Sequence, residues 1–136
     1  MKRITLLLCC LTLAACDDIF EEDISDRRVE AISPADGVHL LPGECHFRWQ
    51  TLEDADGYLL TVVSPSFARA ERLIVDTMML DTLGAAHRFG CKVLLTEGEY
   101  QWSLRAFNSG YESKAEVRTL YVDAAEPEPA PEPEEP

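Results

Sequence analysis

Three histidines, five cysteines and 25 carboxylates are the groups in this 136-residue chain reactive enough to carry chemistry. His39, His46 and His87 are scattered along it. Cys45 and His46 are consecutive in an alternating stretch, so they point to opposite faces and cannot share a metal ion. The chain holds no glycine-rich phosphate loop, no GxSxG, no HExxH and no paired CxxC. A two-carboxylate hydrolase needs its acids facing each other across a substrate groove. Here most acids fall in loops and on the outer sides of alternating runs, where they serve solvation. These residues assign no catalytic group, no metal ligand and no cofactor. Contact chemistry is more promising. Ser64-Pro65-Ser66-Phe67-Ala68-Arg69 sets an aromatic ring and a cation in one long connection. Phe107-Asn108-Ser109-Gly110-Tyr111-Glu112 sets Phe107 and Tyr111 around a turn. Exposed aromatic rings anchor protein or sugar ligands, unless they fold back over the ends of the domain. Coplanar exposed rings would favour sugar, one isolated ring in an apolar patch would favour protein, and buried rings would favour a passive spacer.

The scaffold that must position these loops is small. A chain of 136 residues suits one domain. Hydrophobic residues make up 46% of it, enough for a packed core. Acidic residues outnumber basic ones 25 to 12, for a net charge of −13. Phosphate contacts need a basic face, so nucleic acid is not an expected partner.

The first residues read as an address. Lys2 and Arg3 precede an uncharged, mainly apolar run from Ile4 to Ala15, 12 residues long. A membrane-spanning helix needs about 20 residues, so the run has the size of a signal-peptide core instead. It ends in Leu13-Ala14-Ala15-Cys16, which resembles the lipobox of bacterial lipoproteins. That resemblance implies cleavage after residue 15 and a lipid on Cys16, which would attach the chain to a membrane. Behind it, residues 16–28 hold six acids, Asp17, Asp18, Glu21, Glu22, Asp23 and Asp26. The plain reading is a solvated acidic tether. Asp17, Asp18, Glu21 and Glu22 also resemble the surface-export signal of Bacteroidota lipoproteins, which implies display on the outer face of the outer membrane. In enterobacteria an Asp after the lipidated Cys implies the opposite, a periplasm-facing protein held at the inner membrane. Loss of residues 1–15 leaves Cys16, Cys45 and Cys91. With Cys16 lipidated, an even pair remains in an exported protein, the arithmetic of one disulfide.

The last segment, 124–136, contains five Pro, five Glu and three Ala. No apolar side chain larger than Ala is present to offset the entropy of ordering, so a disordered, extended tail is expected. The folded part is then 29–123, with 14 acidic and 8 basic residues. Much of the acidity lies in the two ends.

Within 29–123, short alternating runs separated by turn residues predict an all-β sandwich of seven strands. The runs are Val29–Ile32, Cys45–Trp49, Tyr58–Val63, an edge strand within 70–80, Phe89–Leu95, Tyr100–Ala106 and Val117–Val122. Alternation places Val29, Ile32, Phe47, Trp49, Tyr58, Leu60, Val62, Phe89, Val93, Leu95, Trp102, Leu104, Ala106, Leu120 and Val122 inside. Trp49 and Trp102 are expected to pack near each other from opposite sheets.

These residues resemble a fibronectin type III domain over most of 29–123. Trp49 stands where that family keeps its strand-B tryptophan, and Gly57-Tyr58 resembles the opening of strand C. Leu95 to Gly110, with Tyr100, Trp102, Leu104 and Ala106, looks like the E–F corner, strand F and F–G turn of bacterial members. Ser33-Pro34-Ala35-Asp36-Gly37 also occurs at the end of the first strand in such members. The resemblance implies a seven-stranded fibronectin type III or immunoglobulin-like β-sandwich that acts as a non-catalytic module. It also implies antiparallel pairing of the Cys45 and Cys91 strands. One register sets Cys45 opposite Cys91, Phe47 opposite Phe89 and Trp49 opposite His87. A strained disulfide is one outcome and a pair of buried thiols the other, the latter favoured by a slip of two residues. The expected function is a lipid-anchored envelope protein whose domain binds a protein or helps assemble a complex. A carbohydrate-binding module and a passive spacer are the alternatives.

Overall fold

The computed structural model describes residues 20–82 and 88–127. Among these residues eight strands form two sheets: β1 (Glu30–Ser33), β2 (Val38–Leu40), β3 (Gly43–Gln50), β4 (Gly57–Ser64), β5 (Arg72–Leu80), β6 (Arg88–Leu95), β7 (Gly98–Phe107) and β8 (Glu116–Val122). One sheet runs β1-β3-β6 and the other β2-β8-β7-β4-β5. The seven expected strands of the fibronectin type III or immunoglobulin-like sandwich are all present. The additional one, β2, is three residues long and pairs parallel to β8, Val38 against Leu120 and Leu40 against Val122. Three residues are too few to display a period of two, so this strand has no signature of its own. The expected edge strand within 70–80 is β5, at the end of the five-stranded sheet. Among the described residues no helix is long and apolar enough to cross a membrane.

Alternation builds the core as expected. In β3, Cys45, Phe47 and Trp49 are buried and Glu44, His46 and Arg48 exposed. In β7, Tyr100, Trp102, Leu104 and Ala106 face inward, beside Tyr58, Leu60 and Val62 of the neighbouring β4. Trp102 meets Phe47 edge-on at 5.1 Å, whereas Trp49 packs with Tyr58 and Phe89 at 5.5 and 5.7 Å. The tryptophan of one sheet therefore meets the phenylalanine of the other.

Two core assignments need correction. Ile32 is exposed and Ala31 is buried in its place. Val29, Glu30, Ala31 and Ile32 alternate inward and outward, so Ile32 falls on the solvent side, and the β1–β3 register shifts next to it, between Ala31 and Ser33. Arg118 braces this irregular stretch, its guanidinium donating to the carbonyls of Ala31 and Pro34, both at 2.9 Å. Phe89 is half-buried, because β6 is an edge strand and the sandwich ends beside it.

The boundary at residue 29 also moves. Over its described part, the segment read as a tether belongs to the domain. Ile24 has 0% of its surface exposed and joins the core cluster. Arg27 donates to the carbonyl of Glu53 and to Asp54, both at 3.1 Å, and its own carbonyl accepts from Lys114 N–H at 2.9 Å. Asn108 donates to the carbonyls of Glu22 and Asp54, at 2.8 and 3.1 Å. Residues 22–28 thus close one end of the sandwich, against the β3–β4 and β7–β8 connections. Residues 1–19 and 128–136, which include the signal segment and most of the tail, lie outside the described residues, as does His87.

Candidate functional site

The connection from β4 to β5 folds back onto the outer face of the five-stranded sheet. Residues Phe67–Arg69 form a single 3-10 turn. Arg69 N–H donates to the carbonyl of Ser66 at 3.2 Å, and Glu71 N–H to the carbonyl of Ser64 at 2.9 Å. Phe67 N–H donates to the Gln101 side-chain oxygen at 2.9 Å, which fixes the turn to β7. Gln101 and Ser103 alternate with the inward Tyr100 and Trp102, so this anchor lies on the outer face. A depression of about 430 Å³ results, lined by Phe67, Ala68, Gln101, Ser103, Ala115 and Val117. Phe67 is 40% exposed at its rim, and Val117 forms part of its exposed floor. Arg69 is exposed on the same turn. The loop thus presents both Phe67 and Arg69 to solvent. Gln101, Ser103, Ala115 and Val117 were not expected as part of it. Their signal is weak: an outward Val in a strand looks like any other β-former until the loop above it is placed.

Phe107 and Tyr111 do not join this site. Phe107 lies six steps beyond Gln101 along β7, roughly 20 Å in an extended strand. Phe107 is half-buried because its ring lies over Gly57. A Cβ built on Gly57 would come within 2.7 Å of that ring and 2.5 Å of the Met79 carbonyl, so the seat requires glycine. Tyr111 is 39% exposed. The Asn108 side-chain oxygen accepts from the N–H groups of Gly110 and Tyr111 at 3.2 and 2.8 Å, which sets the turn but leaves the ring outside.

Of the two outcomes open for the cysteines, the structure takes the slipped register. β3 and β6 pair antiparallel as expected, but Cys45 stands opposite Val93 and Cys91 opposite Phe47, with Trp49 opposite Phe89. This is the two-residue slip. The thiols become diagonal neighbours, for which Cβ separations run about 7–8 Å or somewhat less, beyond the disulfide range of about 3.5–4.5 Å. Both cysteines are free. Burial pushes the Cys45 thiol up to about 11 and raises Cys91 as well. Neither thiol is activated as a nucleophile.

The polar residues around these elements are engaged in ordinary surface pairs. Glu44 Oε1 lies 3.0 Å from Lys92 Nζ and 2.8 Å from His46 Nε2, and these two hold its carboxyl below the usual carboxylate range. Glu21 accepts from the Ser109 hydroxyl at 2.9 Å, and Glu22 lies 3.4 Å from Arg27. Half of the expected export cluster is therefore bonded to the domain. Cys16, Asp17 and Asp18 lie outside the described residues. Among the described residues no three His, Cys, Asp or Glu side chains are grouped to hold a metal ion.

No family model matches the chain, and no curated protein matches it. Solved structures do show similarity. One is the fourth fibronectin type III domain of a human protein, at 12% identity and a TM-score of 0.46, covering 89% of this chain and 93% of that one. Another is the domain of human fibronectin type III domain containing protein 3, at 14% identity and a TM-score of 0.37, covering 73% and 89%. The fold described here rests on its own strand order and registers.

Proposed function

We propose that this chain is a lipid-anchored envelope protein whose sandwich is a non-catalytic module that binds a protein through the Phe67 depression. The observation that carries the reading is the state of one ring. Phe67 stands isolated and partly exposed at the rim of a mainly apolar depression, held there by the bond from its own N–H to Gln101. A ring fixed in advance loses little entropy on binding, and such aromatic anchors dominate protein interfaces. A pyranose platform would call for coplanar rings, and Phe107 and Tyr111 stand at the other end of the sheet. Lipid attachment through Cys16 and export through the acids behind it complete the proposal, on the strength of the lipobox-like run. The anchor would hold the module at the outer face of the outer membrane.

The test is photo-crosslinking from Ala68 in intact cells. One discrete protein adduct is expected, weakened by Phe67→Ala. Loss of a central aromatic anchor costs about 2 kcal/mol, roughly 30-fold in affinity. No adduct, or an adduct indifferent to Phe67→Ala, refutes the binding site and leaves a spacer. For the anchor, Cys16→Ala should move the chain from the membrane fraction to the soluble one. For export, Asp17→Ala with Asp18→Ala is the cleaner variant, because Glu21 and Glu22 also bond within the domain. Unchanged digestion by protease added to whole cells would show that these two acids are only a tether.

A further inference from the structure

Among the described residues each sheet has two edges, so four strands present an unpaired side there: β1, β6, β2 and β5. Exposed edges invite pairing with another chain, and proteins blunt them with short strands, charge, Pro or bulges. β1 has four residues and β2 three. β6 carries Arg88 and Lys92. β5 is different. It has nine residues, with Arg72 and Asp76 but neither Lys nor Pro, and Leu73, Met78 and Leu80 are 63%, 62% and 62% exposed. Its one irregularity is the register shift against β4 at Ile74, near its start.

The free hydrogen-bonding groups on that edge can be assigned. Asp81 N–H donates to the Asp56 carbonyl at 2.8 Å, one step beyond the Gly57–Leu80 pair. Antiparallel bonds alternate along a strand, so Met79, Thr77 and Val75 direct their N–H and C=O groups to β4. Asp76, Met78 and Leu80 direct theirs away from the sheet.

We infer that β5 is a self-complementary edge at which two copies of this chain pair antiparallel about a two-fold axis through Thr77. In that register Asp76 of each copy exchanges both backbone hydrogen bonds with Met78 of the other, which satisfies four donors and four acceptors. Val75 faces Met79 of the second copy on the inner side. Leu80 faces the Leu73–Ile74 irregularity, so apolar meets apolar. Arg72 at one end falls near Asp81 of the second copy, and opposite charges meet at both ends of the ribbon. An axis through Asp76 would set two carboxylates face to face. An axis through Met78 would carry Leu73 and Arg72 past the partner strand. The axis through Thr77 is the one that matches donors, faces and charges together, and the result is one continuous ten-stranded sheet.

The axis predicts one contact sharply. Thr77 of each copy forms a non-hydrogen-bonded pair with its twin, with Cα atoms about 4.5 Å apart. That lies within the range of about 4.4–6.8 Å that a disulfide spans. The experiment uses the full chain in its membrane, oxidised with copper phenanthroline and run on a non-reducing gel. Thr77→Cys should give about tenfold more covalent dimer than the unsubstituted chain or Asp76→Cys, since only the axial pair meets disulfide geometry. Adding Met78→Pro should abolish the excess. The Met78 N–H faces away from β4, so Pro there blocks the edge and spares the ladder. Should that variant melt below the parent, Met78→Glu sets a carboxylate directly opposite Asp76 of the second copy and gives the same reading. Thr77→Cys dimer no greater than in the two controls overturns the inference. So does dimer that survives both Met78 variants, or crosslinking of Thr77→Cys to a different protein in place of a second copy.

Discussion

Ile24→Ala is the sharpest test of where the domain begins. Read from composition, Ile24 is a lone apolar residue in an acidic tether, and its removal would change nothing. In the structure it is wholly buried in the core cluster. The substitution deletes about three carbons. At about 0.8 kcal/mol per buried CH₂ this removes about 2.4 kcal/mol of transfer free energy. The space left behind adds to that, giving about 3 kcal/mol, inside the range of about 2–5 for Ile→Ala in cores. For a domain near 100 residues, 1 kcal/mol lowers Tm by about 4–8 °C, so a fall of about 12 °C or more is expected. Urea unfolding should show the midpoint lowered with the slope m unchanged. Phe20→Ala supplies the control: Phe20 is four residues away and almost fully exposed, and its loss should stay within about 0.5 kcal/mol. An Ile24→Ala protein as stable as that control would refute the docking of residues 22–28 and restore the tether.

Tyr100→Phe removes the hydroxyl that donates to the Thr96 carbonyl at 2.7 Å and closes the corner between β6 and β7. About 1 kcal/mol of stability should be lost, measurable by the same urea curves. Gly57→Ala drives a methyl into Phe107 and the Met79 carbonyl and should cost about 1–3 kcal/mol, read as a lower Tm. The free thiols predict that unfolding without reductant followed by alkylation labels both Cys45 and Cys91, and an unlabelled pair in the intact mass would establish the disulfide instead. The Cys45 pKa is raised from 9.0 to about 11 in the folded state, so folding favours the protonated thiol. Its contribution is fully present below pH 9 and is lost as pH rises towards 11. Cys45→Ala should flatten that part of the stability profile, and an unchanged slope would show that the thiol is not responsible.

Sequence pattern alone reached the layers of this fold and most of its core. Phe47, Trp49, Leu60, Trp102, Leu104 and Leu120 could be placed because burial of one sheet face imposes a period of two. The features it missed have no period. β2 is too short, the extra residue between Ala31 and Ser33 interrupts only the end of a four-residue strand, and Ile24 lies alone among charges. The candidate site was half legible for a related reason. Phe67 and Arg69 stand out by residue type in a turn-rich loop. Their floor of Gln101, Ser103, Ala115 and Val117 is assembled from two strands, and nothing local says that the loop folds onto that face.

The cysteine pair shows where the argument from alternation stops. A slip of two residues keeps every side chain on its own face, so the pattern is blind to it. Both registers put Cys45, Phe47, Trp49, Phe89, Cys91 and Val93 inside. They differ in what stands opposite what. In the register that pairs the cysteines Trp49 would face His87 and Arg48 would face Arg88. In the observed one Trp49 faces Phe89, and Arg48 faces Gly90. The second arrangement is better on both faces. An aromatic pair replaces an aromatic against an imidazole, with ring centroids 5.7 Å apart. Two directly opposed cations are separated, and the Arg48 stem lies over Gly90, where a Cβ would stand 3.1 Å from its Cγ and 2.7 Å from the Phe47 carbonyl. Cross-strand partners therefore select the register that hydrophobic periodicity leaves open, and the separation of the thiols follows from the preference of Trp49 and Arg48 for their neighbours.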